Sequence, residues 1–138
     1  MEVCSPGELA ICKKLGVDGS RIIYSGGNKG ITDIREAYEY GVGIFTAESV
    51  RHVDLIQQVV EAADSDQKAE VILRLNAGSQ FGMAKEDIFD ILQHRETSYR
   101  SLNITGIHYF VGTQRKRAKR KIKELQMLLE LLEEIRNS

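Results

Sequence analysis

Proline is almost absent from this chain: Pro6 is the single one, beside twelve glycines. A chain so poor in proline has few rigid breaks and relies on glycine for its turns. Cysteine is also scarce. Cys4 and Cys12 are the only two, too few for a disulfide framework and without metal-ligand spacing, so a reducing cytoplasm is the expected compartment. No apolar run reaches the roughly 18 residues that a membrane span needs. No short apolar segment follows a basic start, so neither a membrane nor a secretory assignment is expected. The formal net charge is -1, which favours no class of partner by global electrostatics.

Hydrophobic residues make up 42% and charged residues 28% of the 138, the balance of a globular domain long enough to bury a core. Strand-like apolar runs alternate with helical periods. Residues 1–4 read as a short strand, and Ser5-Pro6-Gly7-Glu8 then opens a helix. Ser5 can cap it, Pro6 suits its first position, and Glu8 stands where a capping box wants an acid. Leu9, Cys12 and Leu15 are its apolar side and Gly16 its end. Residues 21–24, 43–45, 71–75 and 104–111 are the further strands. Ile34, Ala37 and Tyr38 mark the second helix. Val50, Val53, Ile56 and Val60 mark the third, with the spacing of one buried face. Ile88, Ile91 and Leu92 mark the fourth, and Ile122, Leu125, Leu129 and Leu132 stripe the last. Five βα units in series predict a parallel sheet of the α/β class. Two architectures remain open at this point, a doubly wound sheet and an arc of an eight-stranded barrel, the latter taking about 250 residues when complete.

In both architectures function gathers at the carboxyl ends of the strands. Four of the five ends are polar or glycine-rich: 25–30, Thr46, 76–82 and 112–114. Ser25-Gly26-Gly27-Asn28-Lys29-Gly30 could present backbone N–H groups and a cation to an anion, although a flexible turn explains it as well and it is not a P-loop. Arg74 lies inside an apolar strand and needs an acceptor, either a structural carboxylate or a ligand. His108 in a strand reads as a satisfied core residue, and His52 and His94 read as surface. No three residues have metal-ligand spacing. Seven of the nine residues from 115 to 123 are basic. A solvated first helical turn is the ordinary explanation, and a nucleic-acid-binding surface is the alternative, though no aromatic residues interleave the run.

Five segments, in order, resemble the barrel domain of the fold-type III pyridoxal-phosphate (PLP) decarboxylases, the diaminopimelate, ornithine and arginine decarboxylase relatives of alanine racemase. Glu2-Val3-Cys4-Ser5-Pro6-Gly7-Glu8-Leu9 is similar to their V-x-S-x-G-E-L. Residues 21–29 resemble their RI…N-K segment. Leu73-Arg74-Leu75-Asn76 resembles L-R-V-N, and Ser79-Gln80-Phe81-Gly82 resembles S-K-F-G. Residues 106–114 resemble G-x-H-x-H-x-G-S-Q. The resemblance implies a partial (β/α)8 TIM barrel over residues 1–138, about its second to sixth units. It implies PLP as cofactor, held by Arg74 at the ring's edge, by Phe110 stacking where the family has His, and by Gly112 and Thr113 at the phosphate. Glu8 would be an acidic neighbour of that site.

The family's Schiff-base lysine belongs to an earlier strand, and none of the nine lysines here stands in that context. No catalytic residue is therefore expected in this chain, and the later glycine-rich phosphate loop and C-terminal β-domain of the family are also outside it. The implied whole protein is a cytoplasmic homodimer that decarboxylates a diamino or basic amino acid, with this chain inactive by itself. The alternatives are a non-catalytic PLP-binding remnant, an amino-acid racemase of the same fold, and the small nucleic-acid-binding protein. The two open sheet edges would expose unpaired backbone.

Overall fold

The first four helices each begin at a local cap. The computed structural model describes residues 1–63, 65–112 and 118–137, without the side chain of Arg120. After β1 (Glu2–Val3), the Ser5 hydroxyl accepts the Glu8 N–H at 3.2 Å and Pro6 opens α1 (Pro6–Lys14). Asp33 closes back on the Gly30 N–H at 2.9 Å to start α2 (Ile31–Glu39). Ser49 caps α3 (Val50–Ala62), and Asp87 ties the Ala84 N–H at the head of α4 (Lys85–Gln93). Such caps satisfy backbone donors that the first helical turn leaves orphaned. The remaining elements are β2 (Ile23–Tyr24), β3 (Ile44–Ala47), β4 (Ala69–Leu75), β5 (Leu102–Tyr109) and α5 (Ala118–Asn137).

The five strands form one parallel sheet in the order β1-β2-β3-β4-β5. A doubly wound sheet reverses direction once across its strand order. Here there is no reversal, so the sheet is an arc of a barrel and the first of the two architectures is set aside. The register of β4 on β5 steps by one residue. Val71 pairs with Ile104 but Ile72 pairs with Gly106, leaving Thr105 unopposed. Beyond that bulge Arg74 lies beside His108.

The core lies between the sheet and the helices. Along β4 burial alternates: Ala69, Val71, Leu73 and Leu75 are buried, while Glu70, Ile72 and Arg74 on the opposite face are half-buried. Tyr24 and Phe45 meet edge to face with centroids 6.3 Å apart, and Ile34, Val53, Ile56, Ile88 and Ile91 pack into the same cluster. No helix among the described residues is long and apolar enough to cross a membrane.

Four details differ from the sequence-based expectation. Arg21 belongs to a 3-10 turn (Gly19–Arg21) and not to β2, because the Asp18 carboxylate accepts both the N–H and the hydroxyl of Ser20, at 3.0 and 2.8 Å, and coils the chain there. β5 runs from Leu102 to Tyr109, so Phe110 and Val111 lie beyond its end. The apolar stripe of α5 faces outward. That helix docks through Leu131, Leu128 and Ile135 and an ion pair between Lys85 and Glu134, so Ile122, Leu125, Leu129 and Leu132, roughly a third of a turn away, stay exposed. His52 is buried, for a reason that belongs to the site.

Candidate functional site

The strand ends converge on one open cleft of about 620 Å³. That is within the roughly 300–1,000 Å³ of small-molecule sites. Its lining comes from all the β-to-α connections of the arc, including Cys4 after β1, Gly26 and Gly27 after β2, Glu48 after β3, Arg74 and Phe81 around the end of β4, and His108, Phe110 and Gly112 from β5 onward.

Register explains the floor. Ala47 pairs with Leu73, so the next residue, Glu48, falls beside Arg74. The Arg74 Nη1 lies 3.0 Å from Glu48 Oε1, with side-chain exposures of 13% and 3%. The acceptor that an arginine in an apolar strand requires is thus this carboxylate. The same Oε1 accepts the Gly26 N–H at 3.1 Å, while Oε2 is buried with no hydrogen-bond partner among the described residues. Glu48's own N–H donates to His52 Nδ1 at 3.3 Å. This contact corrects the surface reading of His52, since it draws the imidazole under the sheet end. Burial, and the nearby Lys29 cation, push His52 down to about 4, so it is neutral and able to accept.

Lys29 is only 4% exposed. Its ammonium donates to the Gly26 carbonyl and lies 5.7 Å from the Tyr24 ring centroid. Burial lowers it to about 8, and Arg74 adds to that, against the favourable Glu48 charge. Beside it the buried Ser25 and Thr46 hydroxyls share a 2.8 Å hydrogen bond. Gly26 has φ +97°, and a Cβ there would run into the Cys4 carbonyl, so the close approach of this turn to β1 requires glycine.

The opposite wall is aromatic. The Arg74 guanidinium carbon lies 5.3 Å from the Phe81 centroid and 5.9 Å from the Phe110 centroid, within cation–π range. Both rings remain over 40% exposed, at 41% and 48%. Asn76 folds the intervening loop, donating to the carbonyls of Ser79 and Phe81 and accepting from the Gly78 N–H. His108 Nδ1 is buried with no hydrogen-bond partner among the described residues, which corrects its reading as a satisfied core residue, and burial together with Arg74 holds the imidazole below its usual value.

The structure brings together Arg74, Phe110 and Gly112 from the sequence reading. Glu8 is not in the lining: its carboxylate is occupied at the head of α1, accepting the Cys4 N–H. Thr113 lies outside the described residues, as do Arg115, Lys116 and Arg117 of the basic run, whose Lys119, Lys121 and Lys123 are exposed on α5. Glu48 and His108 are site residues that sequence reasoning missed. A carboxylate directly after the third strand was the available signal for Glu48, once Arg74 was known to need an acceptor. The Cys4 thiol is held above its usual range by burial and by Glu2, Glu8 and Glu48, which disfavours the thiolate nucleophile. Among the described residues no group of three or more His, Cys, Asp and Glu could hold a metal ion.

Comparison with known proteins agrees with this geometry. Diaminopimelate decarboxylase of Zymomonas mobilis is 33% identical over 128 residues, covering 82% of this chain and 30% of that enzyme. The chain therefore spans less than a third of that relative's length. Its fold superposes on diaminopimelate decarboxylase of Helicobacter pylori in complex with L-lysine with a TM-score of 0.85, at 19% identity and covering 97% of this chain and 37% of that one. SrLDC in complex with PLP and cadaverine gives a TM-score of 0.80 at 28% identity, covering 97% and 33%. The family model "Pyridoxal-dependent decarboxylase, pyridoxal binding domain" matches residues 1–138. A parallel barrel arc with a paired arginine on its carboxyl-end floor, matched from end to end by that model, belongs to the pyridoxal-binding domain of the pyridoxal-dependent decarboxylases.

Proposed function

We propose that this chain supplies part of the cofactor-binding wall of a PLP-dependent decarboxylase acting on a diamino or basic amino acid. The observation that carries the reading is the Glu48–Arg74 pair on the floor of the cleft, with Glu48 Oε2 and His108 Nδ1 buried beside it and unpartnered among the described residues. Buried polar atoms without partners mark a place where a ligand's polar groups belong. The lining fits a flat, anionic heteroaromatic group. Phe81 and Phe110 offer ring faces and Arg74 a cation, and Gly27 leaves room that a Cβ, 3.0 Å from the Phe81 ring, would fill.

Arg74 would lie at the ring's edge and Phe110 would stack on its face, with Gly112 and Thr113 at the phosphate. When bound, PLP supplies an electron sink for the carbanion left by decarboxylation. This chain's residues bind and orient. Arg74 holds a positive charge against the ring, Phe110 shields a face from water, and neutral His108 offers an acceptor or donor at Nδ1. Among the described residues no lysine lines the cleft, and Lys29 lies beneath the floor with its amine engaged by Gly26. We therefore assign no catalytic residue to this chain. Residues 1–138 would make up about five consecutive units of the barrel, in a cytoplasmic protein that works as a homodimer.

Titration of the chain with PLP, followed by absorbance and calorimetry, tests the reading. Saturable binding that Arg74→Met and Phe110→Ala each weaken is expected, with no label fixed by borohydride and no carbon dioxide released from lysine, ornithine or diaminopimelate. Absence of saturable binding, or borohydride fixation to one lysine, would overturn it.

A further inference from the structure

We propose that Glu48, backed by Lys29, is the positioning group that fixes the Arg74 guanidinium in the cleft. This assignment rests on the cofactor-site reading for its purpose, but its geometry stands apart from it. An arginine side chain has many rotamers, and holding one orientation requires a directional partner. The two phenyl rings near Arg74 attract its charge at 5.3 and 5.9 Å but do not set its rotation. Glu48 Oε1, at 3.0 Å, does.

Glu48 is itself immobilised from three sides. Its N–H is bound by His52 Nδ1, its Oε1 receives the Gly26 N–H, and its side chain is 3% exposed. Lys29 completes the arrangement by gripping the carbonyl of the same glycine whose N–H Glu48 accepts. Gly26 is thus held through both of its backbone groups by two buried, opposite charges. Removing the ammonium would free the Gly26 turn and, with it, one of the ties on Glu48. A buried ion pair contributes little net stability against an apolar replacement, but it specifies geometry when its groups are fully tied. Lys29 does not line the cleft, and Glu48 reaches it with an oxygen that has no hydrogen-bond partner among the described residues, so neither charge is explained by packing.

The test is the nuclear magnetic resonance spectrum of the Arg74 side chain in the folded 138-residue chain, labelled with ¹⁵N-arginine and assigned by its loss in Arg74→Lys. A pinned guanidinium gives separate Nη signals, and a free one gives a single averaged signal. Separate signals are expected for the wild-type chain. In Glu48→Gln the rotation should speed up at least about tenfold, as a charge-assisted contact is replaced by a neutral one. Lys29→Met should speed it by a smaller factor and Lys29→Arg should restore the wild-type spectrum, while amide exchange of β4 stays unchanged in all three. An averaged signal in the wild type, or separate signals that survive Glu48→Gln, would overturn the proposal. Should Lys29→Met fail to fold, Glu48→Gln alone decides. PLP titration of the same samples separates the two readings. Pinned Arg74 in a chain that binds no PLP sinks the cofactor-site function and leaves the positioning intact, whereas unchanged PLP affinity in Glu48→Gln sinks the positioning role in binding.

Discussion

The two walls of the cleft are built on opposite plans. The wall from the ends of β1 to β3 is buried and tied. Glu48, Lys29 and His52 leave almost no surface to water, and each of them, like the half-buried Gly26 between them, is held by a named hydrogen bond. The wall from the ends of β4 and β5 is half-exposed and held by ring contacts and a loop organised by Asn76. Electrostatic orientation is expensive to reset and is placed where nothing moves. Contact area can adapt, and it is placed where solvent reaches. Arg74 bridges the two, with its backbone on one wall and its ion pair reaching the other.

The contrast predicts a graded response to mutation. Gly26→Ala should be the most damaging change, at about 4 kcal/mol. The positive φ costs a side chain about 1–2 kcal/mol, and overpacking against the Cys4 carbonyl adds a further 1–3 kcal/mol, roughly. The urea midpoint measures it, and a loss under 1 kcal/mol would show the tied wall to be soft. Next, Arg74→Met strands the buried Glu48 charge and should cost about 3 kcal/mol, while Glu48→Leu combined with Arg74→Met recovers most of the loss in a double-mutant cycle. Additive losses would mean the pair is not coupled.

Acid comes third. His52 is neutral in the fold at about 4 but titrates near 6.5 when unfolded, so the unfolded chain binds the extra proton between those values. The stability it contributes is intact above pH 6.5 and declines as pH falls towards 4, by about 2 kcal/mol once solvent screening reduces the roughly 3 kcal/mol of the full shift. His52→Asn, which keeps an acceptor for the Glu48 N–H, should flatten that part of the pH–stability curve, and an unchanged slope would remove His52 from the tied wall. Last, Phe110→Ala should shift stability by less than about 1 kcal/mol, since the ring is 48% exposed. A larger thermal shift would mean the second wall is as rigid as the first.

Local chemistry was legible in the sequence wherever it acts within one turn. Ser5, Pro6 and Glu8 mark the start of α1 and do so in the structure. Strand and helix alternation was legible from hydrophobic period. Arg74 was legible as a residue in need of an acceptor because its neighbours in sequence are aliphatic. Its partner was not, since Glu48 is 26 positions away and only the pairing of Ala47 with Leu73 sets the two side by side. The burial of Lys29 and His52 has the same origin, as both depend on how β2 and β3 end at one level. The outward stripe of α5 shows the converse. Periodicity finds an apolar face but not which side a helix turns to its neighbours.

The bulge at Thr105 makes the cleft depend on counting. Side chains alternate across a strand, so one unopposed residue inverts every assignment that follows it. Because of that extra residue, His108 shares a face with Arg74 and Phe110 continues it, while Ile107 and Tyr109 join Leu73 and Leu75 on the helix side. A strand with the same residues but no bulge would set Ile72 against Thr105 and Arg74 against Ile107. It would present isoleucine and tyrosine to the cleft and bury the histidine under the helices. The identity of the second wall is therefore written in a register, in which pairs form and not only in which residues stand there.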